Sequence, residues 1–134
     1  MRNRTTFNMR KVIMFFGILA MLAVSANSAE IELDSDLMQT IEDTNKSLSS
    51  NIALKNANAS TSDAKELTEL FTRVEGFFVQ KGDGDNAVSL AKKSKELTVG
   101  IVQSVAANDF DAASNAATTL SRTCRTCHTF YKKE

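Results

Sequence analysis

The residues with the clearest chemistry lie together near the end of the chain, in the segment Cys124-Arg125-Thr126-Cys127-His128. The two cysteines and the histidine are the only residues of their types in the 134-residue sequence. Residues three and four positions apart on a helix share one face, so both thiols and the imidazole would lie side by side. Two such thiols can each form a thioether with a haem vinyl group, and the imidazole can bind the iron. The spacing therefore predicts covalent attachment of one c-type haem, with His128 as the proximal ligand.

Three other interpretations of the Cys-x-x-Cys spacing have to be weighed. A thioredoxin-like redox pair lies where a helix begins after a strand, and nothing strand-like precedes Cys124. A structural zinc site takes four Cys, His or carboxylate ligands, and no fourth soft ligand is available. A disulfide between cysteines three residues apart on a helix would be strained. Haem attachment meets the fewest objections.

A second axial ligand for the iron would have to come from elsewhere in the chain. No second histidine exists, and four of the five methionines lie within the first 21 residues. This leaves Met38, which lies on the apolar stripe of the first predicted helix. A thioether is a known haem ligand that raises the reduction potential, and we expect Met38 to bind the iron opposite His128. The alternatives are a core methionine that fills a gap and a methionine that covers the iron without binding it.

The first 29 residues are predicted to be an export signal. Their N-terminal part is basic, the range 12–24 is apolar but short for a transmembrane span, and small residues follow. This three-part pattern is typical of a secretory signal peptide, with cleavage after Ala26 or after Ala29. An uncleaved membrane anchor is the alternative. We expect residues 30–134 to form one periplasmic domain that is not inserted in the membrane after cleavage.

The charge balance argues against nucleic acid as a partner. Four of the 16 basic residues and none of the 16 acidic residues lie in the predicted signal, so the remaining domain has a net charge of −4. A mildly acidic surface repels phosphate backbones. The basic run at 92–95 is accordingly predicted to be a solvated helix face.

The composition of the domain favours helix throughout. The chain contains no proline, and alanine, leucine, lysine and glutamate, which are strong helix formers, dominate the domain. Apolar residues recur at helical spacing in four segments, at about 35–56, 62–81, 86–107 and 109–132. We therefore predict an all-α fold, an antiparallel up-down-up-down four-helix bundle whose core a covalent haem completes.

The fourth segment has the most regular apolar pattern. Its apolar and small residues alternate three and four positions apart, at Phe110, Ala113, Ala117, Leu120, Cys124, Cys127 and Tyr131. This is the seam of a helix packed in a bundle. Both cysteines are therefore predicted to face the core rather than solvent.

A helical bundle with Cys-x-x-Cys-His in its last helix resembles the class II cytochromes c, the family of the high-spin cytochromes c′ and their low-spin relatives. The resemblance covers the whole predicted domain. It is strongest over 123–133, where an aromatic and a basic residue follow the histidine at the family's usual spacing. It is also clear over 37–40, where Met38 matches the family's distal position. Cytochromes c′ usually have an arginine one turn earlier, near the haem propionates, whereas this chain has Asp34.

The resemblance implies an electron carrier rather than an enzyme. Asp34 in place of the arginine favours the low-spin members, whose iron is held by histidine and methionine, here His128 and Met38. Such a protein passes single electrons between redox partner proteins. The alternative is a five-coordinate haem protein of the cytochrome c′ type that binds nitric oxide or carbon monoxide under Met38. The family also allows a homodimer through the first two helices.

Overall fold

The computed structural model of the protein describes residues 33–131. The signal peptide predicted at 1–29 and its two cleavage sites lie outside the described residues, as does the basic end of the family motif at 132–133. Within the described range, none of the helices combines the length and apolarity needed to cross a bilayer.

Four helices contain most of the described residues. They are α1 (Ser35–Ala53), α2 (Ala57–Lys81), α3 (Asp85–Ala106) and α4 (Phe110–Tyr131). No strand occurs between residues 33 and 131. The prediction of an all-helical fold is confirmed for this part of the chain.

Short polar side chains determine where helices α1 and α4 begin. The backbone N–H of Leu37 donates to Asp34 Oδ1 at 2.7 Å, which caps α1. In the same way, the backbone N–H of Ala112 donates to Asp109 Oδ1 at 2.9 Å at the start of α4. Each cap satisfies a backbone donor that the first helical turn leaves unpaired.

The connection between α1 and α2 departs most from the sequence prediction. Helix α1 ends at Ala53 rather than near residue 56, and α2 begins at Ala57 rather than near residue 62. Lys55 has a left-handed backbone with a φ of 55°, which is incompatible with continuing α1. The Oδ1 atom of Asn56 accepts the N–H of Ala59 at 3.2 Å and so caps α2. The connection is a tight turn rather than a loop.

The helices form a four-helix bundle, as predicted. Each helix packs against its two neighbours in the ring α1–α2–α3–α4, whereas the backbones of the diagonal pairs lie farther apart. Three-residue connections join consecutive helices, which forces successive helices to reverse direction. Two side-chain hydrogen bonds between α2 and α3 are consistent with this antiparallel arrangement. The hydroxyls of Thr68 and Thr98 are 2.7 Å apart. Lys95 Nζ donates to Glu75 Oε2 at 2.7 Å.

The core is packed most tightly in the half of the bundle that contains the α1–α2 turn. The largest apolar side chains that are fully buried are Leu48, Leu67, Ile101 and Leu120. Towards the other end, Leu37, Phe78 and Ala87 are buried, but several apolar side chains are only partly buried. They are Met38, Phe77, Val88, Cys124, Cys127 and Tyr131. Along the predicted apolar face of α4, the residues are thus buried as far as Leu120, and the two cysteines beyond it are only partly buried.

The apolar stripe of α1 differs in one respect from its prediction. Its buried residues are Leu37, Ile41, Thr44, Leu48 and Ile52. Met38 lies beside this stripe and is only partly buried. The reason is positional, because the buried Leu37 is one residue earlier and successive residues of a helix are rotated by about 100° about its axis.

We expect Leu120→Ala to destabilise the bundle by about 2–5 kcal/mol, the usual cost of removing a buried leucine side chain. Leu120 is 0% exposed and belongs to the closed half of the core. Leu54→Ala is the matched control, because Leu54 is 77% exposed and should change the free energy of unfolding by less than about 0.5 kcal/mol. Urea unfolding of both variants measures the difference. Equal losses would contradict the packing described here.

Candidate functional site

A cavity of about 600 Å³ opens in the looser half of the bundle and is lined by residues of all four helices. This volume is in the range of small-molecule and cofactor sites. Its apolar wall comes mainly from α1, α2 and α3 and includes Met38, Ile41, Phe71, Val74, Phe78 and Leu90. Because α1 and α4 are antiparallel, the start of α1 faces the end of α4 across this cavity.

Helix α4 contributes the three residues of the Cys-x-x-Cys-His motif to the cavity. Cys124, Cys127 and His128 all line it. Both cysteines are partly buried free thiols, and His128 is exposed at the cavity edge. The structure thus brings together the three side chains that were predicted to share one helix face.

The threonine hydroxyls of the motif are all hydrogen-bonded within α4. Thr123, Thr126 and Thr129 each donate to the backbone carbonyl four residues earlier, at 3.0 Å in every case. None of these hydroxyls competes for a backbone group outside the helix. Helix α4 is continuous to Tyr131, so the i, i+3 and i+4 geometry that the two thiols and the imidazole require is maintained.

The two thiols are held in their neutral form. Burial and, to a lesser extent, the neighbouring Cys127 together raise the pKa of Cys124 to about 11. Burial also raises the pKa of Cys127. A low-dielectric wall disfavours the thiolate, so at neutral pH the cavity has two uncharged sulfur atoms on one side.

We expect the haem-free protein to lose stability as the pH rises from about 9 towards about 11. The Cys124 thiol has an ordinary pKa of 9.0 and a pKa of about 11 in the folded chain. Over this interval the folded state binds more protons than the unfolded state, so raising the pH favours unfolding. Urea unfolding across the interval measures the loss. Haem-free Cys124→Ser is the control and should lose less, and equal losses would contradict the prediction.

Met38 lines the same cavity from α1. It is the only methionine among the described residues, and its side chain packs against the edge of the core. The predicted distal residue and the predicted proximal residue, His128, therefore belong to one cavity although 90 positions separate them in the sequence. Asp34, which stands where cytochromes c′ usually have arginine, is committed to the cap of α1 and is not among the lining residues.

Aromatic side chains support the motif end of α4. The rings of Tyr131 and Phe78 are 4.9 Å apart, and the rings of Phe78 and Phe77 are 5.1 Å apart in an edge-on arrangement. Tyr131 and Phe78 both line the cavity. These contacts hold the last turn of α4, which carries His128, against the end of α2.

Asn45 is a cavity residue whose role the sequence prediction missed. It lies on α1, lines the cavity, and donates from Nδ2 to Ser121 Oγ on α4 at 3.1 Å. Its Oδ1 atom is buried and has no hydrogen-bond partner. The available signal was that a polar residue interrupts an otherwise apolar stripe.

Among residues 33–131, no three His, Cys, Asp or Glu side chains form a cluster that would hold a metal ion by themselves. Comparisons of the chain with protein-family models, with curated proteins and with solved structures found no match.

Proposed function

We propose that this chain is a periplasmic monohaem c-type cytochrome that transfers single electrons. One observation carries the proposal: Cys124, Cys127, His128 and Met38 line a single cavity of about 600 Å³. These side chains are the donor set that a covalent haem with histidine and methionine ligation requires. The apolar side chains around them suit a porphyrin, whose faces are apolar.

The two cysteines would hold the cofactor. Their thiols are free, lie one helical turn apart and line the same cavity, so each can form a thioether with one vinyl group. Attachment through two points on a single turn would place the adjacent imidazole of His128 beside the iron. This explains why the thiols and the histidine belong to one short segment.

His128 on α4 and Met38 on α1 would bind the iron. The imidazole nitrogen is a strong iron donor, and the thioether sulfur of Met38 favours the ferrous state. When bound, the haem supplies the one-electron ferric/ferrous couple. Helices α1 and α4 would hold the ligands in place, and the apolar side chains of the wall would limit the access of water to the bound cofactor.

The remaining properties of the proposed cytochrome follow from its sequence. The signal predicted at 1–29 would deliver the chain to the periplasm, and the acidic domain fits transient contact with redox partner proteins rather than with nucleic acid. Membership of the low-spin branch of the class II cytochromes c rests on the resemblance over 37–40 and 123–133. No residue is assigned an enzymatic role, because the only histidine would be committed to the iron.

A potentiometric titration of the exported, purified protein tests this function. We expect one chromophore whose absorption changes reversibly between oxidised and reduced forms and follows a one-electron Nernst curve. A coloured protein that cannot be cycled, or a two-electron curve of the kind given by a dithiol–disulfide couple, would contradict the proposal.

A further inference from the structure

The side-chain amide of Asn45, in the cavity wall, is hydrogen-bonded through its NH₂ group and unpaired at its oxygen. Its Nδ2 atom donates to Ser121 Oγ at 3.1 Å, which joins α1 to α4. Its Oδ1 atom is shut off from solvent and lacks any hydrogen-bond partner in the described residues. An unpaired buried acceptor is unfavourable, so its presence beside a cavity calls for an explanation.

The position of Asn45 relates it to the proposed cofactor site. Asn45 follows Met38 by seven residues, or two helical turns, on the same face of α1, and both residues line the cavity. Ser121 precedes Cys124 by three residues on α4. Ser121 itself does not line the cavity, so the Asn45–Ser121 hydrogen bond runs from the cavity wall to a residue outside it.

The hydrogen bond to Ser121 fixes the orientation of the amide dipole of Asn45. The partial positive charge of the NH₂ group is compensated by Ser121, whereas the partial negative charge of the carbonyl oxygen is compensated neither by a donor nor by solvent. Interactions of such a dipole are strong in the low dielectric of a protein interior. The uncompensated oxygen is buried within the cavity wall, where its partial negative charge favours positive charge nearby.

We propose that Asn45 is a tuning residue of the haem site, oriented by Ser121, whose carbonyl oxygen stabilises the oxidised state and lowers the reduction potential. This inference rests on the proposed function. The oxidised iron centre has one more positive charge than the reduced centre, so a fixed negative dipole stabilises it preferentially. Asn45 and Met38 would thus have opposite effects on the reduction potential, because the thioether of Met38 favours the reduced state.

Reduction potentials of haem-loaded wild type, Asn45→Leu and Asn45→Ala test the proposal. Both substitutions remove the carbonyl, but leucine fills the space with apolar atoms and alanine leaves room for water. We expect both variants to have a higher potential. The ratio of reduced to oxidised protein at a fixed applied potential should rise about threefold to tenfold, tenfold corresponding to about 59 mV for a one-electron couple.

Thr44→Val is the matched control. Thr44 is the buried neighbour of Asn45 on α1 but does not line the cavity, and its replacement should leave the potential unchanged. Ser121→Ala removes the anchor while the amide remains. We expect it to raise the potential by less than Asn45→Ala does, and an unchanged potential would overturn the orienting role of Ser121.

Two results would overturn the role of Asn45. A potential that rises for leucine but falls for alanine would show that solvation of the cavity, rather than the carbonyl, sets the value. A potential that is unchanged or lowered in both variants would show that the oxygen does not stabilise the oxidised state. Either result would leave the proposed cytochrome intact, whereas a colourless wild type would refute the cytochrome and this inference together.

Discussion

Replacing both cysteines with alanine should abolish covalent attachment of haem. Cys124 and Cys127 are the only thiols in the chain, and both line the cavity from one face of α4. Without sulfur no thioether can form, so the loss should be complete rather than partial. Denaturing electrophoresis followed by haem staining measures it, and the polypeptide band of the double variant should be colourless.

The single variants and a neighbouring substitution make this test specific. Cys124→Ala and Cys127→Ala should each retain one tether and therefore stain more weakly than wild type. Thr126→Ala is the control, because Thr126 lies between the cysteines, is exposed and bonds only to the Arg122 carbonyl. It should stain like wild type. Undiminished staining of the double variant would contradict the assignment of the thiols.

Replacing Met38 with alanine should convert the iron from low-spin to high-spin. If the sulfur of Met38 is a ligand, the weak far-red charge-transfer band of the ferric protein should disappear and the reduced protein should bind carbon monoxide readily. The reduction potential should also fall, because a thioether ligand favours ferrous iron. Absorption spectra of the oxidised, reduced and carbon monoxide-treated variant measure all three effects.

Gln39→Ala is the control for Met38→Ala, because Gln39 is the next residue of α1 and lines the same cavity but has no sulfur. Its spectrum should match that of wild type. A wild type that is already high-spin and binds carbon monoxide or nitric oxide readily would contradict ligation by Met38. The protein would then be a five-coordinate, gas-binding haem protein in which Met38 only covers the iron.

The elements of the fold could be predicted from the sequence because helical periodicity is a local property. The four apolar segments correspond to the four helices. Asp34 caps α1, and aspartate is one of the residue types that commonly do so. The start of α2 could not be predicted, because the segment at 57–61 is polar and small and lacks an apolar stripe. Its helical state depends on the cap that Asn56 provides.

Only the part of the candidate site that lies on a single helix could be predicted from residue spacing. Cys124, Cys127 and His128 share a face by helical geometry alone. That Met38 lines the same cavity depends on the register between α1 and α4, which the sequence suggested only through a family resemblance. The unpaired oxygen of Asn45 could not be foreseen, because it results from the position of Ser121 on another helix.

The mass of the intact protein under denaturing conditions tests the central claim most directly. The wild-type chain should be produced with its own signal in a bacterium that has the machinery for attaching haem to c-type cytochromes. We predict the mass of the processed polypeptide plus one haem, which survives denaturation because both thioethers are covalent. The mass of the polypeptide alone, or that mass less the two hydrogens lost in a Cys124–Cys127 disulfide, would contradict the claim that this chain is a c-type cytochrome.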